Sequence, residues 1–223
     1  MAGSVGNQLL YEDKLIFLVD GFFNLDRCYN RINNTTGSFY NGIVYSDGGL
    51  TADGIDDYFT YNINITPAFT YTIVAKSANS TWNTYAGLGS SRVANGFIFS
   101  PNINTTSIRT SIYSSTGAIS NTAYVDSLLY VNSIQENNIY TISINSNVLS
   151  RKMYINGVLV QDVTLGSAIT RTSSTIELSI LRDHNVAGRY TAGNVKYISM
   201  YNDQLSDDEV YTLHSNLRKR IPL

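Results

Sequence analysis

Apolar and polar residues alternate with a period of two through most of the chain, the pattern of strands that turn one face inward. The alternating segments are rich in Ile, Val, Tyr and Thr. They run from Thr70 to Ala75, Gly96 to Ser100, Ser107 to Tyr113, Asn138 to Ile144, Met153 to Val163, Thr175 to Leu181 and Val195 to Tyr201. Clusters of Gly, Asn, Ser and Asp separate them, among them Ser46 to Gly49, Asn79 to Asn83 and Ser114 to Gly117. Many short strands with turn-rich joints predict two antiparallel sheets packed face to face. With no internal repeat and no linker, residues 1–223 read as a single domain.

Two local signals are sharper than the alternation. Asn156-Gly157 lies between Met153-Tyr154-Ile155 and Val158-Leu159-Val160, and Asn-Gly suits the two positive φ angles of a type I′ turn, so a tight hairpin is expected. Near the end of the chain Ser206 stands three residues before Glu209, the spacing of a capping box, with Leu205 and Val210 as its hydrophobic staple. Val210, Leu213 and Leu217 share one helical face. One short helix from about Asp207 to Leu217 follows, leaving Arg218 to Leu223 as a tail.

Composition narrows the function. Of 223 residues 43% are hydrophobic and only 14% charged, and the net charge is −2. Asn, Ser and Thr take the place of charge and read as the outer faces and loops of the sandwich. The apolar content excludes disorder, and the lack of a basic stripe excludes a nucleic-acid partner. The one basic cluster, Arg218-Lys219-Arg220, falls in the expected tail. The single cysteine, Cys28, excludes an internal disulfide and a multi-Cys zinc site and reads as a small buried hydrophobe. Glu12, Asp13 and Lys14 interrupt the stretch from Met1 to Phe23, so it does not read as a secretory signal, and no run reaches membrane-spanning length.

Three stretches resemble the laminin-G-like branch of the concanavalin A-like lectin and glucanase superfamily. Ala52-Asp53-Gly54-Ile55-Asp56-Asp57-Tyr58, preceded by Asn41-Gly42 and Asp47-Gly48-Gly49-Leu50, is similar to that group's Phe-Asp-Gly-Val-Asp-Asp-Tyr signature. Tyr154-Ile155-Asn156-Gly157-Val158-Leu159-Val160 resembles its Tyr-Val-Asn-Gly hairpin. Gly193-Asn194-Val195 through Ile198 and Tyr201 to Leu205-Ser206-Asp207-Asp208-Glu209 resembles its closing strand and helix. Together they span about residues 15–217. The resemblance implies an all-β, two-sheet antiparallel jelly-roll sandwich with one short C-terminal helix, in agreement with the alternation. Read unaided, Asp53-Gly54 and Asp56-Asp57 are turn formers between Leu50 and a strand starting at Tyr58.

The glucanase relatives carry Glu-x-Asp-x-x-Glu, since glycosidases need paired carboxylates across a cleft. The four glutamates here, Glu12, Glu136, Glu177 and Glu209, have no acidic partner at that offset on a strand. His184 and His214 lack a second ligand at metal spacing. His214, near the helix end where a cation is favoured, reads as structural. No enzyme is expected, and no cofactor. Many relatives hold calcium, but Lys196 stands where the resemblance places a carboxylate, so its ammonium is expected to replace the ion by pairing with an acidic residue such as Asp20. For sugar binding an aromatic plate beside amide groups is required. Trp82 with Asn83 and Tyr85 is the first candidate, and Asp183, His184, Asn185 and Arg189 beside Arg182 form a second edge.

The low charge, the absent export signal and the resemblance together suggest a structural virion protein of a tailed bacteriophage, a capsid-surface decoration or tail component made in the host cytoplasm. Its expected partners are other virion proteins or its own copies, and host-surface glycans. The alternative is a secreted or cell-surface lectin domain. A glycoside hydrolase stands third.

Overall fold

The computed structural model describes residues 10–20, 29–30, 32, 35–77, 86–88, 97–101, 107–113, 119–126, 136–164, 174–182 and 190–221. Along the chain the strands are β1 (Leu15–Asp20), β2 (Tyr29–Asn30), β3 (Thr35–Thr36), β4 (Ser38–Tyr40), β5 (Val44–Ser46) and β6 (Gly49–Asp53). Then come β7 (Tyr58–Ile65), β8 (Ala68–Ser77), β9 (Ala86–Leu88), β10 (Phe97–Pro101), β11 (Ser107–Tyr113) and β12 (Ile119–Asp126). The last are β13 (Asn138–Asn145), β14 (Ser150–Ile155), β15 (Val158–Thr164), β16 (Ser174–Ile180) and β17 (Ala192–Tyr201), followed by helix α1 (Asp207–Arg220). Each segment expected from alternation falls inside a strand to within one residue, except Met153 to Val163, which forms the β14–β15 hairpin. Cys28 and the turn clusters 79–83 and 114–117 lie outside the described residues.

All the strands but β2 and β3, which pair with each other, form the two antiparallel sheets of a jelly-roll sandwich. The first has the order β15-β14-β13-β8-β17-β6-β5, with β1 also paired to β17; the second has the order β12-β11-β10-β9-β16-β7-β4. Phe17, Phe69, Ile73, Tyr140, Met153 and Ile198 of the first sheet meet Phe59, Ile65, Leu178 and Ile180 of the second in a buried core, each such side chain contributing about 1.5–3 kcal/mol by leaving water. Asn156 and Gly157 both have positive φ, 51° and 88°, and Ile155 faces Val158 across the turn, which is the expected hairpin. Asp47 and Gly48, at 52° and 69°, make a second such turn between β5 and β6.

The capping box is present: the Glu209 amide donates to Ser206 Oγ (3.3 Å), while the Ser206 amide donates to Glu209 Oε2 (2.7 Å). The helix nevertheless runs three residues beyond its expected end. Arg218, Lys219 and Arg220 form its last turn, where positive charge suits the helix dipole. Arg218 donates to the Asn156 carbonyl, Arg220 pairs with Asp20 (2.6 Å), and Ile221 is buried. The expected solvated tail is thus packed structure up to residue 221.

That helix also changes the environment of the polar positions beneath it. Val210, Leu213 and Leu217 pack on Leu18, Val74, Ile139, Tyr154, Tyr197 and Tyr201 on the outer face of the first sheet. The alternating partners Thr70, Thr72, Thr141, Ser143 and Ser199, expected in solvent, are buried there. Thr72 and Thr141 share a hydrogen bond (2.7 Å), Thr141 meets His214 Nε2 (2.7 Å), and Thr70 contacts Ser143 (3.0 Å) and accepts from the Leu205 amide (2.9 Å). Hydroxyls can occupy such a face because each donates and accepts in turn.

Candidate functional site

An open aromatic platform lies on the outer face of the second sheet. Tyr40 of β4 faces Tyr58 of β7 in register, and cross-strand neighbours on one face lie close enough for their rings to stack. Here the rings are 4.3 Å apart and nearly parallel, at 4°. Tyr190 adds a third ring, 6.0 Å from Tyr58. The Arg182 guanidinium lies 4.3 Å above the Tyr58 ring and 5.9 Å from that of Tyr190, within cation–π range. Tyr40 keeps 38% of its surface in solvent.

A local backbone kink positions Arg182. Leu181 has φ of 65°, a left-handed conformation that costs a non-glycine residue roughly 1–2 kcal/mol. It is held by burial of its side chain and by the Thr191 amide donating to its carbonyl (2.9 Å). This kink ends β16, and Arg182 then bridges to Tyr190. Burial raises the Tyr58 phenol pKa, while Arg182 opposes that shift.

The platform is bounded by the Asp-Gly-Ile-Asp-Asp turn. Buried Asp57 accepts from the Gly42 amide and, at 3.0 Å, from the Asp53 amide. Asp53 in turn accepts from the Ile55 amide (2.7 Å), and Asn41 Nδ2 donates to the Asp56 carbonyl (2.7 Å). Gly54, at φ 83°, lies so near Ala192 that an added Cβ would come within 2.6 Å of its amide nitrogen. These contacts tie the 41–42 loop to the 53–57 turn and fix Tyr40 and Tyr58, each adjacent in sequence to one of them. The carboxylates of Asp53, Asp56 and Asp57 approach within 4.8 Å of one another and are the described oxygens a hard cation could share. The bonds from Asp57 and Asp53 to backbone amides account for the motif as a turn.

The sequence-based candidates Trp82, Asn83, Tyr85, Asp183, His184, Asn185 and Arg189 lie outside the described residues. Arg182 and Tyr190, which flank the second candidate stretch in sequence, meet at the platform. Tyr40, Tyr58 and Tyr190 were not singled out, although Tyr40 precedes Asn41-Gly42 and Tyr58 ends the signature motif. Glu177 is the one glutamate on a strand among the described residues, opposite Asn62. Glu209 is engaged by the cap and by Lys14 (2.8 Å). The expected Lys196–Asp20 pair does not form: Asp20 is held by Arg220 at 2.6 Å, and Lys196 approaches Asp47 at 3.8 Å. The cause is a β-bulge. Val195 faces Ala75 and Tyr197 faces Val74, which leaves Lys196 as the extra residue, re-aimed where the neighbour of β17 changes from β6 to β1. His214 is structural but not as a cation. Burial first, with Arg218 adding to it, lowers its pKa to about 3.

No protein-family model matches the sequence, and no curated protein matches it. Solved structures do share its fold. The botulinum neurotoxin serotype D binding domain superposes with a TM-score of 0.72 at 12% identity, covering 92% of this chain and 52% of that one. The serotype D ligand-binding domain in complex with N-acetylneuraminic acid gives 0.71 at 12%, covering 93% and 52%. The Ruminococcus gnavus IT-sialidase CBM40 bound to α2,3-sialyllactose gives 0.54 at 14%, covering 66% and 82%. The chain therefore spans about half the length of the toxin domains it matches. At these identities the likeness establishes the β-sandwich fold and nothing finer.

Proposed function

We propose that this chain is a non-catalytic carbohydrate-binding module whose platform is the Tyr40–Tyr58 stack with Arg182. The observation that carries this reading is a pair of stacked, partly exposed tyrosines beside a guanidinium and exposed Asp53 and Asp56. Aromatic faces take the apolar side of a sugar ring, and the polar rim takes its hydroxyls. The similar structures bound to N-acetylneuraminic acid and to sialyllactose support it as a class of ligand. Glycan-array binding of the intact domain is the test. Tyr40→Ala should lower affinity for the bound glycan about tenfold, equivalent to about 1.4 kcal/mol. Binding to no glycan overturns the reading, and loss on Trp82→Ala with Tyr40→Ala unaffected moves the platform to the Trp82 loop.

We further propose the setting suggested by the sequence resemblance, a laminin-G-like domain on a bacteriophage virion, as capsid decoration or tail component. Support comes from β15, which among the described residues is an edge strand of the first sheet with Val158 and Leu159 exposed, the kind of edge that a neighbouring copy can extend. Imaging the protein in its native particle tests this, and a monomer absent from any particle counts against it.

A further inference from the structure

A polar cleft of about 500 Å³ opens along the outer face of the first sheet, beside the region that α1 covers, lined by Ser46, Asp47, Thr51, Lys76, Ser77 and Asn194 among others. Its floor is a cross-strand row. Lys76 of β8 faces Asn194 of β17, which faces Thr51 of β6. Buried Asn194 fixes the row and the adjoining hairpin, donating to the Ser46 carbonyl (2.9 Å) and to Thr51 Oγ1 (2.8 Å). Gly193 lets the strands close up, since a Cβ there would lie 2.4 Å from the Lys76 carbonyl. Over this floor hangs Asp47, the exposed tip of the β5–β6 turn.

Among the described residues the charges at the cleft do not balance. Lys76 Nζ lies 2.5 Å from Asp47 Oδ2 and Lys196 Nζ lies 3.8 Å from Oδ1, so two ammonium groups share one carboxylate. Lys196 is the more demanding of the two, with a side chain only 8% exposed and its one described ion pair at the long limit of contact. Both lysines hold the Asp47 carboxyl pKa low, through the Lys76 hydrogen bond first and the charge of Lys196 next. The carboxylate at the hairpin tip thus shows what the cleft accepts and leaves one positive charge for a second.

We propose that this cleft is a separate binding site for a small hydroxylated carboxylate of the uronic-acid type. The ligand carboxylate joins Asp47 at Lys76, with Lys196, outside the cleft lining but 3.8 Å from Asp47, adding its charge, and the ligand hydroxyls meet Ser46 and Thr51. The site shares no residue with the tyrosine platform and does not depend on it. Titrations of the full chain with D-glucuronate and with D-glucose at fixed ionic strength, followed by calorimetry, test it. Glucuronate should bind and glucose should not. Asp47→Asn, which removes the competing charge, should tighten glucuronate binding about tenfold, and Lys76→Gln should weaken it about tenfold. Both substitutions are at solvent-reached positions, and unchanged unfolding midpoints verify their folds. Equal binding of the two sugars, no glucuronate binding even by Asp47→Asn, or indifference to Lys76→Gln overturns the proposal. Any of these leaves the Tyr40 result standing, because the two experiments read different variants against different ligands.

Discussion

On β13 the residues facing away from the core are Ile139, Thr141 and Ser143, all buried; on β7 the corresponding face carries half-buried Tyr58 and buried Thr60, then Asn62 and Asn64, both exposed. The two strands alternate alike in sequence, and both are flanked by partners in the middle of a sheet. What separates them is α1, which lies on the first sheet and leaves the second sheet's outer side to solvent at β4 and β7. The residue types agree with that division. Thr70 with Ser143 and Thr72 with Thr141 pair in the covered layer, where a hydroxyl has one donor and two acceptor sites to fill, whereas the amides of Asn62 and Asn64, with four bonding sites each, stand in water.

Breaking the cover should have the largest effect. Leu213→Ala removes a buried contact of α1 and is expected to destabilise by about 2–5 kcal/mol, read from urea unfolding. Acid probes the same layer. His214 folds as the neutral imidazole with its pKa held down to about 3, against about 6.5 when exposed. Its contribution is therefore complete above pH 6.5 and shrinks by roughly 1.4 kcal/mol for each unit the pH falls from there towards 3. Urea midpoints at pH 7 and pH 5 should differ less in His214→Gln than in the wild type, and an identical difference would remove His214 from the acid response. Thr141→Val takes a partner from both Thr72 and His214 and should cost about 1–3 kcal/mol. On the second sheet, Asn64→Ala should change stability by no more than about 0.5 kcal/mol despite its 2.5 Å bond to Thr175. A cost for Asn64→Ala equal to that of Thr141→Val would erase the distinction between the faces.

Much of the fold was legible because its signals are local. The strands follow from period two, the β14–β15 hairpin from Asn156-Gly157, and the start of α1 from Ser206 and Glu209. The end of the helix was misplaced because the apolar periodicity stops at Leu217, while Arg218 and Arg220 continue by reaching Asn156 and Asp20, partners 62 and 200 residues away. Burial of the Thr and Ser ladder was hidden for a similar reason, since period two identifies which residues leave the core but not whether another element covers them. The platform was the least legible. Tyr40, Tyr58 and Tyr190 come together only through strand register and the kink at Leu181, and nothing in their spacing marks them. Lys196 stands out in the sequence, but a bulge decides its direction, and no composition or periodicity predicts which residue of a strand will be the extra one.

The stitching of α1 to β1 bears on how the domain carries load. Lys14 meets Glu209 near the start of the helix and Asp20 meets Arg220 at its end, so strand and helix run side by side in the same direction. Pulling outward at residues 14 and 221 drags α1 lengthwise across β1. Both ion pairs and the apolar layer between them must then yield together rather than one after another, the geometry of a joint loaded in shear.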